Sequence, residues 1–284
     1  MNPNYTFSIE ELAYLWALHG GTQIAHLVLR ADMGENVLQK PLLEQRMTAA
    51  AHSLLARGLL EQNPTQDGVQ AISPVRDLFG HMSSALLSFQ YVLPAITGAI
   101  YLAESATVVQ ERRYGVVYDF WVYPHGEAVL RLAERLGLPA QQREALPAPT
   151  AKMTPALFER VLGLVETNVT DAEISLAASG FEPASARALV QALRNMDARG
   201  EVALLSASSK DAGIQLSGWR FVRGAEVLWW FPVGPRDQVL PAYQLTPAQS
   251  AELLATWFDQ VVQAIGQSGA PAREEKQGNA PEAQ

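Results

Sequence analysis

The spacing of apolar residues is helical near the N-terminus and becomes strand-like further along the chain. Ser8 and Glu11 form a capping-box pattern ahead of an apolar stripe, which predicts a helix from Ser8 to Leu18. A long helix is predicted from Asn36 to about Gln62, and Gly58 favours an end at Arg57. Strands follow at Ser84–Val92, Gly98–Ala103, Ala106–Arg112 and Gly115–Tyr123, and then an amphipathic helix at Glu127–Leu136.

The second half of the chain repeats this order of elements. Thr154 and Pro155 begin a helix that runs to about Thr167, and Thr170 with Glu173 predicts another capping box. A longer helix is predicted over Ala184–Arg199, ending at Gly200. Strands at Glu201–Ser206, Ile214–Val222 and Ala225–Val233 then precede a last helix, which Thr246 and Pro247 begin and which runs to about Ile265.

A short alignment between the halves supports an internal repeat. Ala49–Gln62 aligns with Gln191–Leu204 at an offset of half the chain length, and both segments contain Ala-Arg-Gly. The alternative is that many helices end in Arg-Gly, because a basic residue and a left-handed glycine suit a helix C-terminus. The predicted fold class is α+β: a central antiparallel β-sheet flanked by two α-helical bundles, with a pseudo-two-fold internal duplication that covers open sheet edges.

The repeat and the composition together suggest four segments. A first α+β half covers residues 1–138 and a linker covers 139–152, since the latter is rich in Pro, Gln and Ala. A second half at 153–268 is expected to form one sheet with the first. Residues 269–284 contain no large hydrophobic side chain, which predicts a disordered tail.

Composition excludes several functional classes. The chain has 284 residues, 48% of them hydrophobic, and no cysteine, which rules out a disulfide framework, a zinc ribbon and a cysteine nucleophile. A net charge of −8 argues against binding to a phosphate backbone.

The weakly charged stretch Met82–Leu102 contains Pro94 and several serines, so it is interpreted as strands and not as a membrane span. Residues 1–20 have no basic segment followed by an apolar core, so no secretory signal is expected and the cytoplasm is the expected compartment.

No catalytic, cofactor or metal motif is present in the sequence. Walker A, dinucleotide-binding and nucleophile-elbow patterns are all missing, and the five histidines lack metal-ligand spacing, so we expect no enzyme activity.

Four arginine and tryptophan residues are candidates for contact with a partner protein. Arg112 and Arg113 lie at a predicted hairpin tip. Trp229 and Trp230 are consecutive in a strand and must point to opposite faces, so one is expected in the core and the other is a candidate contact; burial of both is the competing interpretation.

A winged-helix DNA-binding regulator is the alternative function. Ser8–Ala71 has helices followed by a possible small wing, and Met47–Leu60 would be the recognition helix. That helix contains Arg57 as its only Arg or Lys, with Arg46 just before it. Because a DNA reader places basic residues on its recognition helix, a nucleic-acid partner is not expected.

The order of elements resembles the EspG family, the cytosolic chaperones of type VII (ESX) secretion. The resemblance rests on Glu10-Glu11-Leu12, on the Leu-Leu-Ala-Arg-Gly-Leu-Leu-Glu segment at Leu54–Glu61, on Pro74 with Asp77-Leu78-Phe79, and on the second copy of the pattern up to Ile265. It implies a central antiparallel sheet with two helical bundles and a quasi-two-fold axis. It also implies a non-enzymatic protein that keeps a helical secretion substrate soluble, in the family a PE–PPE pair that docks on the strands and a nearby bundle.

Overall fold

The computed structural model describes residues 4–63, 68–85, 87–93, 96–139, 144–195, 199–205 and 218–268. The helices are α1 (Ile9–Leu18), α2 (Thr22–Met33), α3 (Lys40–Ala56), α4 (Ser73–Ser83), α5 (Ala128–Arg135), α6 (Pro155–Thr167), α7 (Val169–Ala177), α8 (Pro183–Leu193) and α9 (Pro247–Ser268). The strands are β1 (Tyr5–Ser8), β2 (Leu60–Gln62), β3 (Val69–Ala71), β4 (Leu87–Leu93), β5 (Ile96–Leu102), β6 (Ala106–Arg113), β7 (Val117–Pro124), β8 (Ala151–Met153), β9 (Arg199–Leu205), β10 (Gly218–Arg223), β11 (Leu228–Pro232) and β12 (Leu240–Leu245). The predicted tail at 269–284 lies outside the described residues.

Local sequence signals account for most helix ends. The Ser8 hydroxyl accepts a hydrogen bond from the Glu11 backbone N–H at 3.2 Å, and the Glu11 carboxylate accepts one from the Ser8 N–H at 2.9 Å, so the predicted capping box is confirmed. Gly58 follows α3 with φ +67°, as a C′ glycine requires. The predicted capping box at Thr170 is wrong, because the Asn168 side chain, two residues earlier, caps α7 by accepting from the Asp171 N–H.

Ten strands form one sheet with the order β1-β7-β6-β5-β4-β9-β10-β11-β12-β8. Every neighbouring pair in it is antiparallel. β4 to β7 form one meander and β9 to β12 another, and the two meanders meet where β4 pairs with β9. The short strand that starts each half, β1 or β8, pairs with the last strand of its own meander. The chain is therefore a mixed α+β protein built on a large antiparallel sheet.

Helices pack on both faces of this sheet. On one face, called here the closing face, α5 and α9 cover a core that contains Phe89, Val109 and Trp230. The opposite face carries α1 to α4 over β1, β6 and β7 at one end. At its other end, α6 to α8 pack over β10 to β12. This second face, called the bundle face, is therefore covered at its two ends by separate groups of helices.

Two differences from the predicted elements change the interpretation of the repeat. The helix predicted to run to Arg199 ends at Leu193, and Arg199 and Gly200 lie in strand β9. In β9, Gly200 makes room for the Phe221 ring, which would lie 2.3 Å from an added Cβ. Gly58 instead ends a helix, so the two Arg-Gly pairs that aligned in sequence have different structural roles.

The edge strands were not predicted from the sequence. β1 and β8 have only four and three residues, and β8 takes up the end of the segment predicted to be a linker. The Thr150 N–H just before β8 also donates to the Ala242 carbonyl at 2.8 Å, which extends this contact with β12. Short edge strands leave few unpaired backbone groups at the two borders of the sheet.

Candidate protein-interaction surface

The two tryptophans proposed as contact candidates belong to the core. Trp229 and Trp230 do point to opposite faces, but both are 0% exposed. Trp229 packs beside Phe181 in the core under α6 to α8, while the Trp230 Nε1 donates to the Ser250 hydroxyl of α9 at 2.9 Å. Because helices cover β11 on both faces, neither indole reaches the surface, and the expectation that one of them contacts a partner is corrected.

Arg112 and Arg113 lie at the tip of the hairpin between β6 and β7, as the sequence indicated. The Arg112 guanidinium donates to the Gly115 carbonyl through Nε at 3.0 Å and Nη2 at 2.8 Å. Arg113 forms an ion pair with Asp119, which is 1% exposed and also accepts a hydrogen bond from the Thr6 hydroxyl at 2.7 Å. The hydrogen bond that Arg113 donates to the Asp119 carboxylate raises the pKa of Arg113, so the guanidinium stays charged. Both arginines thus hold the hairpin in one geometry.

The central strands expose side chains on the bundle face, between the two groups of helices. Gln90 of β4 pairs with Ala99 on one side and Ala203 on the other, and Val92 pairs with Thr97 and Glu201. Gln90 and Val92 are exposed, Val92 by 44%, although β4 lies in the middle of a ten-stranded sheet. Residues directly opposite in a ladder share a face, so this area is continuous. We call it the central surface: Gln90, Val92, Thr97, Ala99, Gln110, Arg112, Glu201 and Ala203.

The central surface is mainly small or uncharged in its middle and charged at its borders. Gln110 accepts a hydrogen bond from the Tyr101 hydroxyl at 3.2 Å, and burial raises the pKa of Tyr101 to about 12, so this hydroxyl remains a donor at neutral pH. Arg112 lies at one border. At the other border Glu201 accepts from the Arg220 Nε at 3.0 Å. A surface of this kind, flanked by helices and accessible in a large sheet, suits contact with another protein.

A pocket adjoins the central surface in the second half. It has a volume of about 290 Å³ and shares Arg220 with that border. Its apolar lining includes Phe158, Phe231 and Leu240, and Glu159 and Arg236 add charge. The Arg220 guanidinium lies 6.0 Å from the centre of the Phe158 ring, so the pocket combines an aromatic wall with a cation.

Arg46 of α3 and Arg57, directly after it, contact acidic side chains of α1. Arg57 makes two hydrogen bonds to the Glu11 carboxylate, at 2.9 and 2.8 Å, and Arg46 donates to Glu10 at 2.6 Å. The order α1-α2-α3-β2-β3 does match that of a winged helix. The helix in the recognition position is α3. Because these two arginines pair with acidic side chains of α1, less positive charge is available for a phosphate backbone.

The buried carboxylates of the described sheet are paired with arginines. Glu111 and Asp119 are neighbours across β6 and β7, yet each has its own cation, Arg135 for Glu111 and Arg113 for Asp119. The Tyr91 hydroxyl also donates to Glu111 at 2.7 Å. Within the described residues, no three His, Asp or Glu side chains gather as a metal site would require. None of the helices in the described part of the chain is long and apolar enough to span a bilayer.

Sequence reasoning missed Gln90, Val92 and Glu201. A signal was present, because Gln90 places a long polar side chain between the apolar residues Phe89 and Tyr91. That polarity is unusual for a strand buried on both faces. It indicates that one face of β4 is open to solvent.

The likeness of this chain to known proteins lies in its fold. No family model matches the chain, and no curated protein sequence matches it. A solved structure does match: the Mycobacterium tuberculosis type VII secretion system chaperone EspG5 in complex with the PE25–PPE41 dimer. The match has a TM-score of 0.57 at 14% sequence identity and covers 90% of this chain and 95% of the other. The chain has an EspG-like fold. At this identity the likeness concerns the fold, so the resemblance to EspG found in the sequence is supported at that level.

Proposed function

We propose that this EspG-like chain is a non-enzymatic, cytoplasmic chaperone or adaptor of type VII (ESX) secretion. It binds a helical secretion substrate, of the PE–PPE kind or related to it, and keeps that substrate soluble. The observation that carries the proposal is the central surface, where Gln90 and Val92 are exposed in the middle of a large sheet. The fold likeness to a chaperone solved with a PE–PPE dimer adds support.

The substrate is expected to contact both the strands and the flanking helices. α4 contacts β5 and β6, and α8 contacts β10, so each helix group lies next to the exposed strands. The charged groups at the two borders of the surface differ: Arg112 lies at one and the Glu201–Arg220 ion pair at the other. A partner can therefore distinguish the two ends. Charged groups at the rim mainly determine orientation and specificity, while the less polar centre excludes water.

A binding experiment tests this function directly. A PE–PPE heterodimer from the same organism is co-expressed with the chain, and complex formation is followed by size-exclusion chromatography and calorimetry. Wild type is expected to form a stable complex. Gln90→Arg, which places a long cation in the middle of the central surface, is expected to weaken affinity at least tenfold.

Ile174→Gln is the control for a change at an exposed position, because Ile174 is 60% exposed on α7 and lies outside the central surface. Both variants should unfold at the wild-type temperature, since both positions are exposed. The absence of any complex with wild type contradicts the proposed function. Equal binding by Gln90→Arg contradicts the assignment of the surface.

The winged-helix regulator remains a separate candidate, favoured by the order of helices and hairpin in the first half. It predicts DNA affinity that falls steeply with salt concentration. We expect none, because Arg46 and Arg57 already pair with Glu10 and Glu11. Electrophoretic mobility of random duplex DNA at low and high salt distinguishes the two functions.

We also propose that the two halves of the chain, residues 1–138 and 153–268, arose by duplication. The support is topological: each half has a short strand, helices, a four-stranded meander and a closing helix. Ser8 and Thr154 cap the first helix of each half directly after its short strand. A pseudo-two-fold axis then passes between β4 and β9, through the central surface, and two helical bundles flank it.

A further inference from the structure

The hairpin between β6 and β7 contains an unusual tyrosine. Tyr114 and Gly115 have φ values of +52° and +71°, and the Val116 N–H donates to the Arg113 carbonyl at 3.2 Å. These features define a β-turn from Arg113 to Val116 in which both central residues have positive φ. Val116 is the third residue of the loop, because Arg113 pairs with Val117 in the ladder. Asn, Asp or Gly normally occupies the first of these positions, because a larger side chain there is strained. Tyr114 is the only residue other than glycine with positive φ within the described part of the chain.

The strained tyrosine is also highly exposed. Its side chain is 86% exposed, more than any other large apolar residue in the described ranges, and Val116 beside it is 52% exposed. Exposure of this kind contributes nothing to the core. Backbone strain that persists without benefit to packing points to a role of the strained residue itself.

The surrounding contacts keep the tip rigid. Arg112 donates twice to the Gly115 carbonyl, and the Arg113 guanidinium lies 5.9 Å from the centre of the Tyr114 ring. Arg113 is in turn held by the buried Asp119. A rigid aromatic ring loses little conformational entropy on binding, which is why tyrosine with arginine recurs at the energetic centre of protein interfaces.

We propose that Tyr114 is a preformed anchor that inserts into an apolar pocket of the protein partner, and that carboxylates border that pocket. The acidic character follows from charge complementarity, because Arg112 adds a positive charge to this tip beyond the Arg113–Asp119 ion pair, on a chain of net charge −8. Arg112 also belongs to the central surface, so the anchor extends the same interface at its first-half border. This inference rests on the proposed binding function and adds to it the anchor and the partner's chemistry.

The test separates stability from binding. Tyr114→Asn places a residue suited to the left-handed region in the turn, so the unfolding temperature should stay equal or rise, while affinity should fall at least tenfold. Tyr114→Phe keeps the ring and should bind within about threefold of wild type. Ile174→Gln is again the control for loss of an exposed apolar side chain. All four full-length proteins are used to capture partners from native cell extract, and the protein lost only with Tyr114→Asn is purified and titrated by calorimetry.

Each outcome is decisive. A helical protein with an acidic surface, retained by wild type, Tyr114→Phe and Ile174→Gln but lost by Tyr114→Asn, supports the anchor. Equal capture by Tyr114→Asn overturns the anchor while leaving the proposed function intact, and capture of no protein by wild type overturns both. A marked drop in unfolding temperature for Tyr114→Asn assigns the tyrosine a structural role instead. If wild type sediments with phosphatidylglycerol vesicles and Tyr114→Asn does not, the proposal of a protein partner is overturned and the tyrosine binds a membrane surface instead.

Discussion

On the closing face, the two halves of the sheet use different kinds of side chain beneath their closing helices. In the first half, one register row across neighbouring strands is polar: Tyr91, Gly98, Glu111, Asp119 and Thr6. In the second half, the row is aromatic: Gly200, Phe221, Trp230 and Tyr243. Each row contains one glycine with an aromatic ring lying over it.

The closing helices show why the chemistry differs. α5 has 8 residues and is attached to the sheet through the Arg135–Glu111 ion pair. α9 has 22 residues, packs Trp257 and Phe258 against Phe89, and needs only the neutral contact from Trp230 to Ser250. A short helix buries little apolar area, so a charged contact fixes its position, whereas a long apolar helix is held mainly by hydrophobic burial.

The largest expected effect is in the aromatic row. Trp230→Ala removes a fully buried indole under α9 and should lower the free energy of unfolding by about 3–5 kcal/mol. Urea denaturation followed by circular dichroism measures this loss. A loss below about 1 kcal/mol contradicts the view that apolar burial holds α9 to the sheet.

The polar row should be less costly to disrupt. Glu111→Ala removes the partner of Arg135 and of the Tyr91 hydroxyl, and the expected loss is about 2–3 kcal/mol. It is smaller than for a fully buried pair because Arg135 is partly exposed and regains water. Hydrogen exchange should then show α5 opening while α9 stays protected. Equal loss of protection in both helices means that the two closing helices act as one unit.

The two glycines provide a matched pair. An added Cβ at Gly98 would lie 2.2 Å from the Tyr91 ring, and one at Gly200 would lie 2.3 Å from Phe221. The Cβ at Gly200 would also lie 2.7 Å from the Val92 carbonyl oxygen, which belongs to the backbone and cannot rotate away. Gly98→Ala should therefore destabilise the protein by about 1–2 kcal/mol and Gly200→Ala by up to about 3 kcal/mol through overpacking. Thermal unfolding of both variants checks this. A much smaller cost at one site shows that its aromatic ring can move aside, which identifies the looser half.

The smallest effect concerns pH and the first helix of each half. Burial raises the pKa of Glu11, but hydrogen bonds from Ser53 and the Ser8 N–H and the ion pair with Arg57 outweigh it, so the pKa is lowered from 4.5. A lowered pKa in the folded state gives stability that is present above pH 4.5 and is lost as the pH falls through the folded value. α6, capped by the neutral Thr154, has no such dependence.

Glu11→Gln is the variant that isolates this contribution. It should be less stable than wild type at pH 7, and the difference should shrink as the pH falls below 4.5. Urea denaturation across this range measures both proteins. Parallel stability curves contradict a role for the Glu11 charge.

The sequence predicted what local signals specify. The capping box at Ser8, the Gly58 helix end and the meander strands from Ala106 onward follow from residues close to one another in the chain. β12 was missed because Pro241 is unfavourable in a strand; here it is tolerated next to the three-residue edge strand β8. The burial of both Trp229 and Trp230 depends on helices packing on both faces of β11.

The candidate site was the least predictable part of the molecule. Arg112 and Arg113 were located correctly at a hairpin tip, because a turn between two strands is a local feature. The exposure of Gln90 and Val92 depends instead on the distance between two helix groups that join different ends of the sheet. Gln90 within β4 indicates an open face, but no pattern within the strand encodes how far apart the two helix groups lie.

The pairing of β4 with β9 has a consequence for protein synthesis. β4 ends at Leu93 and β9 begins at Arg199, so about a hundred residues must be added after one strand before its neighbour exists. At about 5–20 residues per second, the edge of β4 stays unpaired on the ribosome for roughly 5–20 s. During that time a strand with Phe89 and Tyr91 on one side is open to wrong pairing. The topology that completes the sheet thus leaves a strand edge open during synthesis, the period in which a nascent chain benefits from protection.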